Sequence, residues 1–482
     1  MTCLRSLAIA VVVAIVGCAG LPPKQKPVQL PVALPLDGLE FPAGGRWPSQ
    51  EWWKRYQDPV LDRLIELALG SSPTLATAHA RYDTALQSVR VEGASAGARV
   101  NAIGDIERQR LSDNGLFPRR FLGFSWYNQA DLGLQASYTF DWWGKQRDAV
   151  EAALDQAHAS QADQGAAALM LATSITDTYF GWQADQSRIA LARERASIVE
   201  REGAIAAARV QADLDAAEGT HRSELALAAA REQVAALEGS AALRVVALAG
   251  LVGRSIAELP VLQPRPLPEL SGNLPDDVKI DLISRRADIT ASRWRVEAAE
   301  RNVDTSRAEF FPDVTINALL GLSSIDLGKL LEYGSRVPQA TAAIHLPIFD
   351  AGRLKAGYGA TQAALGSAIA GYRDTLVSAA RDVATQASTR AQISAERSQR
   401  LVQVDAARQL HAGAAARVRE GITDVRTELS AAESWIEQRD ALLQLDAAAL
   451  SADIALQRAL GGGYENPQKL VNSPASGTAK IP

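Results

Sequence analysis

Cysteine is almost absent from this chain: two in 482 residues, at positions 3 and 18, leave no disulfide framework and no cysteine-rich metal site. The five histidines (His79, His158, His221, His345 and His411) stand apart, with no pair at helical ligand spacing. Aromatic residues make up only 6%. A basic surplus is also missing. Lys+Arg 50 against Asp+Glu 55 gives a formal charge of −5, so a partner that must have its phosphates neutralised, such as nucleic acid, is not expected. No glycine-rich phosphate loop follows a strand pattern and no Gly-x-Ser-x-Gly elbow occurs. No catalytic residue, cofactor or metal is expected, and the chain reads as a non-enzyme. Beyond the N-terminus no apolar run reaches the ~20 residues of a membrane helix. That excludes a polytopic helical membrane protein. It leaves a membrane β-barrel open, because barrel strands carry a weaker hydropathy signal.

What is present begins with an address. Arg5 precedes a continuous apolar run, Leu7 to Val16, followed by Gly17 and Cys18. This is the pattern of a secretory signal. Ala14-Ile15-Val16-Gly17-Cys18 resembles a bacterial lipoprotein box, which implies lipidation (palmitate) at Cys18; the alternative is a plain signal with an incidental cysteine. Ala19, in place of Asp, implies by the same resemblance passage to the outer membrane. Acyl chains tether a protein without spanning the bilayer. Residues 1–17 are expected as signal peptide and 18–48, rich in proline, as a lipidated linker.

The remainder reads as one unit written twice. Leu75-Ala-Thr-Ala-His-Ala-Arg81 and Ile289-Thr-Ala-Ser-Arg-Trp-Arg295 lie 214 apart, and Ala85, Val89, Ala94 and Val100 match Ala299, Val303, Ala308 and Val314. Phe140-Asp141-Trp142-Trp143-Gly144-Lys145 matches Phe349-Asp350-Ala351-Gly352-Arg353 across a one-residue gap, after which an offset of 208 holds to Ala208-Arg209-Val210 and Ala416-Arg417-Val418. A tandem duplication follows, with repeats at 49–258 and 276–465, a linker with five prolines at 259–275, and a tail at 466–482. Each repeat predicts helix, strand, strand, very long helix, helix. The stretch 145–211, nearly free of Gly and Pro, would run ~100 Å as a helix. The helix at 61–95 and the return at 216–250 would each cover about half that length. Leu429, Ile436, Leu443 and Leu450 step by seven, and Ile175, Tyr179, Trp182 and Ile189 by four, three and seven, as in supercoiled packing.

The predicted strands alternate. Leu132, Leu134, Ala136, Tyr138 and Phe140 interleave with Gly133, Gln135, Ser137 and Thr139. Ala340, Ala342, Ile344, Leu346 and Ile348 repeat the pattern, and 314–323 and 100–107 supply partners. Each strand, about nine to eleven residues, is long enough to cross a bilayer when tilted. Tyr138, Phe140, Trp142 and Trp143 at one end suit an interfacial aromatic girdle. A half-buried soluble hairpin would alternate in the same way. Four strands leave two open edges, which lipid cannot satisfy. Three chains of four give a twelve-stranded barrel, the smallest closure here with room for water.

At this point the residues resemble a known family. Trp52-Trp53-Lys54-Arg55-Tyr56-Gln57-Asp58-Pro59-Val60-Leu61, Tyr138-Thr139-Phe140-Asp141-Trp142-Trp143-Gly144-Lys145, Arg285-Arg286-Ala287-Asp288-Ile289, Phe310-Phe311-Pro312, Leu346-Pro347-Ile348-Phe349-Asp350-Ala351-Gly352-Arg353 and Ala459-Leu460-Gly461-Gly462-Gly463-Tyr464 are, in order and spacing, similar to motifs of the TolC-like outer-membrane factors of tripartite efflux systems, in particular the lipoprotein branch. Ala287 stands where that family has proline. The resemblance implies a mainly α chain with a membrane β part. A homotrimer would form a twelve-stranded outer-membrane barrel continuous with a periplasmic α-helical barrel. It implies partnership with a periplasmic adaptor and an inner-membrane pump, commonly proton-driven, contact with outer-membrane lipid, and a passive exit duct for drugs or metabolites. It also implies that the helical hairpin tips close the duct and meet the adaptor: Asp213, Leu214 and Asp215 in the first, Gly421 and Ile422 in the second. Thr423 and Asp424 are the gate candidates, with Arg417, Arg419 and Arg426 as ionic partners; plain helix capping by Thr423 or Asp424 is compatible with that role. Asp213 stands where the family has glycine. Two other readings remain at this stage: the exit duct of a type I protein secretion system, and a lipid-anchored periplasmic coiled-coil scaffold without a pore.

Overall fold

The computed structural model describes residues 22–23, 29–31, 45–112, 114, 119–269 and 285–465. Cys18, the signal at 1–17, the linker beyond 269 and the tail from 466 lie outside the described residues. In chain order the elements are α1 (Pro59–Ser71), α2 (Pro73–Ser95), β1 (Arg99–Arg110), β2 (Trp126–Phe140), α3 (Lys145–Gln211), α4 (Glu218–Val252), α5 (Ala287–Ala308), β3 (Asp313–Ser324), β4 (Arg336–His345), α6 (Arg353–Arg419) and α7 (Val425–Ala459), with short helical turns between some of them. The single helix expected at 61–95 is two. Pro73 pushes Ser72 out of the helical region, to ψ 127, and the chain restarts as α2.

The chain divides into two compact units. One comprises the described residues of 1–30, 82–159 and 292–371; the other comprises those of 31–81, 160–291 and 372–482.

The first unit holds the sheet, which is antiparallel throughout in the order β1-β2-β3-β4. Each ladder keeps one register from end to end, so the even-numbered residues of all four strands share a face. Ala102, Leu134, Leu320 and Pro338 form one row across it, and Val100, Ala136, Ala318 and Ala340 the next. On the odd face Asn101, Gln135 and Gln339 share a row with Leu319; Ser137, Asn317 and Thr341 follow, and the Thr139 and Thr315 hydroxyls meet at 3.1 Å. The strands run longer than expected, up to 15 residues in β2, except β4, which ends at His345. Leu346 and Ile348 therefore lie beyond the ladder, where Pro347 has no N–H to donate.

In the second unit α4, α7 and the greater parts of α3 and α6 pack as long antiparallel helices. Ile175, Tyr179, Trp182 and Ile189 are buried, as are Leu429, Ile436 and Leu450, and Leu443 packs partly buried beside them. The seven-residue step thus marks a real seam. Over 18 residues α4 is apolar enough to match a membrane helix, with mean hydropathy 1.6. Its charges assign it otherwise: Arg244 pairs with Asp185 at 2.7 Å and Glu238 with Arg193, both on α3. The core gathers Trp52, Trp53, Tyr56, Leu61, Leu64, Ile65, Tyr179, Leu248 and Leu450. Two buried carboxylates brace it. Asp58 caps α1, accepting from the Val60 and Leu61 amides, and also accepts from the Tyr179 hydroxyl at 2.8 Å. Asp453, fully buried, accepts from the Tyr56 hydroxyl at 2.9 Å between Arg55 (3.6 Å) and Arg390 (3.7 Å). The proline-rich N-terminal segment is fastened where it is described, the Tyr372 hydroxyl donating to the Pro31 carbonyl at 3.0 Å.

Candidate functional site

The hairpin tips of the second unit form by the same backbone device. α3 ends with the Asp213 amide donating to the Val210 carbonyl (3.0 Å) and the Leu214 amide to that of Arg209 (2.9 Å). α6 ends with the Gly421 amide on Val418 (3.0 Å) and the Ile422 amide on Arg417 (2.9 Å). Both are Schellman closures, which need a left-handed residue at the turn. Gly421 supplies it at φ 71 without a Cβ penalty, and Asp213 takes φ 58 in the same position. The aspartate that departs from the family pattern therefore keeps the turn. Leu214 and Ile422, expected at the adaptor contact, are exposed at 65% and 67%.

The acids are used differently. Asp424 caps α7, accepting from the Arg426 amide at 3.0 Å and from the Arg426 guanidinium at 2.8–2.9 Å. Asp215 does not cap α4, whose first turn has no side-chain cap; it reaches back to Arg209, at 2.6 and 3.2 Å. Thr423 meets the Thr427 hydroxyl at 3.2 Å. The Arg426 amide and guanidinium hold the Asp424 carboxyl below its ordinary range, with a smaller contribution from Arg209. Asp215 is lowered chiefly by Arg209, then by Arg426, and Arg209 is raised by Asp215 and Asp424. The two tips therefore share one field of alternating charge. Of the three expected partners of Asp424, Arg426 binds it. Arg417 lines, with Asp424 and Arg426, an open groove of about 630 Å³ between α6 and α7, whose other walls are Leu410 and small residues such as Ala407, Ala414 and Ser430. Arg419 makes no ion pair among the described residues. Arg209 is the partner that sequence reasoning missed; its signal is an acid six residues on, across a tip one turn long.

At the other chemistry-bearing place, the sheet, Tyr138 meets Phe140 edge-on at 5.0 Å and Phe140 stacks on Trp142 at 5.7 Å. Trp142 is 65% exposed. Trp143 is positioned otherwise: it stacks on Phe311 at 4.5 Å and donates its indole N–H to the Pro312 carbonyl at 3.0 Å, locking the start of α3 to the start of β3. Leu132, Leu134, Ile106, Leu320 and Ile344 stand exposed on the even face. An apolar face this wide implies an apolar partner. Among the described residues no group of three or more His, Cys, Asp or Glu could hold a metal ion.

Comparison with known proteins gives the family. A family model described as outer membrane efflux protein matches residues 64–254 and 281–462. The multidrug resistance outer membrane protein MdtP of Escherichia coli (strain K12) is 32% identical over 447 residues, 91% of each chain. The crystal structure of the outer membrane protein VceC from Vibrio cholerae superposes with a TM-score of 0.78 at 31% identity, covering 87% of this chain and all of that one. The Campylobacter jejuni CmeC outer membrane channel shares the fold, with a TM-score of 0.82 at 20% identity over 94% of this chain and 97% of that one. The chain belongs to the outer membrane efflux protein family.

Proposed function

We propose that three copies of this outer-membrane protein close into a passive exit duct for small molecules, drugs or metabolites, as the tunnel component of a tripartite efflux pump. One observation carries the reading. A single unbroken register puts apolar residues on one sheet face and polar residues on the other, while β1 and β4 are left as open edges. Such a sheet is stable in a bilayer only if its edges are paired, and a ring of three pairs them while leaving a water-filled lumen on the odd face. Tyr138, Phe140 and Trp142 then sit at the lipid–water boundary on the side of the helices. Equal helix lengths support a tandem duplication: α3 and α6 have 67 residues each, α4 and α7 have 35 each, and the family model matches both halves. On this reading the repeats span 49–258 and 276–465.

The helices extend into the periplasm and end at the tips, where Leu214 and Ile422 offer apolar contact to a periplasmic adaptor and, through it, to a proton-driven inner-membrane pump. Asp424 and Thr423 face the constriction, with Arg426 and Arg209 as the ionic latch. Lipidation at Cys18 adds a tether. The multidrug designation of MdtP supports small molecules over secreted protein as cargo. The test is single-channel recording in planar bilayers on trimers purified from outer membranes. Steady conductance is expected; a monomeric, non-conducting mature chain refutes the duct and leaves the scaffold.

A further inference from the structure

We infer that the sheet end remote from the helices carries a docking surface for phosphorylated lipid, built from Arg108, Arg110 and Arg336. The inference rests on the membrane reading of the sheet. Of the even-face residues in the four strands, three are charged; all three are arginines, and all lie at the end next to the β1–β2 and β3–β4 connections. Acids occur at the same end, but on the other face: Asp105 directly opposite Asp131, and Glu107 beside Gln129. The sheet end is thus polarised, cations toward the apolar side and carboxylates away from it. Because strand side chains point to opposite faces, these acids cannot neutralise the arginines. Among the described residues none of the three arginines makes an ion pair, and all are exposed.

Two of them are pre-oriented. The Arg108 guanidinium lies over the Trp126 ring at 5.7 Å, and that of Arg336 over Tyr333 at 4.2 Å. A guanidinium held over an aromatic ring loses freedom yet uses none of its N–H donors on the ring edge, so two of them remain to grip a phosphate in parallel hydrogen bonds. Below Arg108 and Arg110 the same face continues as Ile106 and Ala102 beside Leu132 and Leu134, and below Arg336 as Pro338 and Ala340 beside Leu320 and Ala318, a wall for acyl chains. The combination of fixed cations at headgroup depth over an apolar wall matches an anionic phospholipid or glycolipid with the phosphate at the interface. A zwitterionic headgroup, which cancels its own phosphate charge, fits it poorly. Closure of the ring sets the Arg336 edge of one copy beside the Arg108–Arg110 edge of the next, so each seam presents all three.

The test uses full-length trimers in detergent, titrated with lipid A (an acylated glucosamine disaccharide bearing two phosphates), its monophosphorylated form, or phosphatidylcholine, with retained lipid counted by native mass spectrometry. The order of retention expected is two phosphates, one, then phosphatidylcholine. Arg108→Gln and Arg336→Gln should each lower lipid A retention about fivefold, and more together, with phosphatidylcholine unaffected. Equal retention of lipid A and phosphatidylcholine, or of lipid A by the native and double-variant chains, overturns the proposal. Full displacement by inorganic phosphate overturns it as well, by showing a free-anion site. The single variants serve if the double variant does not assemble. Conductance of the same preparations separates the readings: a silent native trimer refutes the duct, whereas conducting variants with unchanged lipid choice refute the docking surface alone.

Discussion

The two halves of the chain match in their long helices, yet they place their buried and paired charges at different points. The long helices and their returns have equal lengths, and the Schellman turns at Asp213 and Gly421 make the same two backbone hydrogen bonds. Asp453 on α7 is fully buried among Arg55, Arg390 and Tyr56; the same distance from its start α4 carries Val246, which is exposed. Asp155 on α3 is buried; α6 carries Ala363 there. Backbone geometry is dictated by helix length and turn chemistry, which the two halves have in common. Polar pairs are dictated by which neighbour each helix faces, and that differs between halves.

Four measurements would break or sharpen the contrast. Asp453→Ala should act most strongly, leaving two arginines without their shared carboxylate. A loss of about 3–5 kcal/mol is expected, read as a lowered thermal midpoint, whereas Val246→Ala on α4 should change little. Next is Asp155. Burial first, then Glu297, raises its carboxyl to about 6, with Arg301 opposing. The native state then binds its proton more tightly than the unfolded chain, so this site's contribution is fully present at low pH and is lost as pH rises from the ordinary carboxylate value to about 6. Asp155→Asn should flatten that slope and stabilise the protein at pH 7 by on the order of 1–2 kcal/mol; an unchanged pH profile refutes the assignment.

At the tips the effects are smaller in stability and larger in leak. Asp424→Ala removes a cap and a latch together and should raise closed-state conductance several-fold. Asp215→Ala, which frees only Arg209, should raise it less. Equal conductance in both variants and the native chain removes the latch. Because Asp424 and Asp215 are held below the usual carboxylate range, their pairing is retained above it and lost only as pH falls through those lowered values. The leak should therefore stay flat from neutrality to about pH 5. Smallest of all, Asp213→Gly relieves a left-handed aspartate and should leave adaptor binding and conductance unchanged, because Gly421 already makes the same turn.

Most of the frame was legible in the sequence. The repeat offsets located α3, α6 and both tips, and the alternation in 132–140 located β2 and its apolar side. The break at Pro73 was written in the chain too, but the strong helix propensity on either side hid it. Arg209 and Asp453 were not legible. Each pairs across helices, or across a tip, with partners that no local period announces. Trp143 looked like one more girdle residue; only the stacking on Phe311 shows that it fastens a helix to a strand.

The unbroken register of the sheet has an arithmetic consequence. Sidedness here is a matter of odd and even, carried without correction through all four strands. Inserting or deleting one residue inside β2 would move every later side chain of that strand to the opposite face, putting apolar groups among the polar ones and polar groups among the apolar ones. Changes of two would be borne. Length variation among such strands should therefore come in pairs, while the connections between them, bound by no parity, are free to drift by single residues.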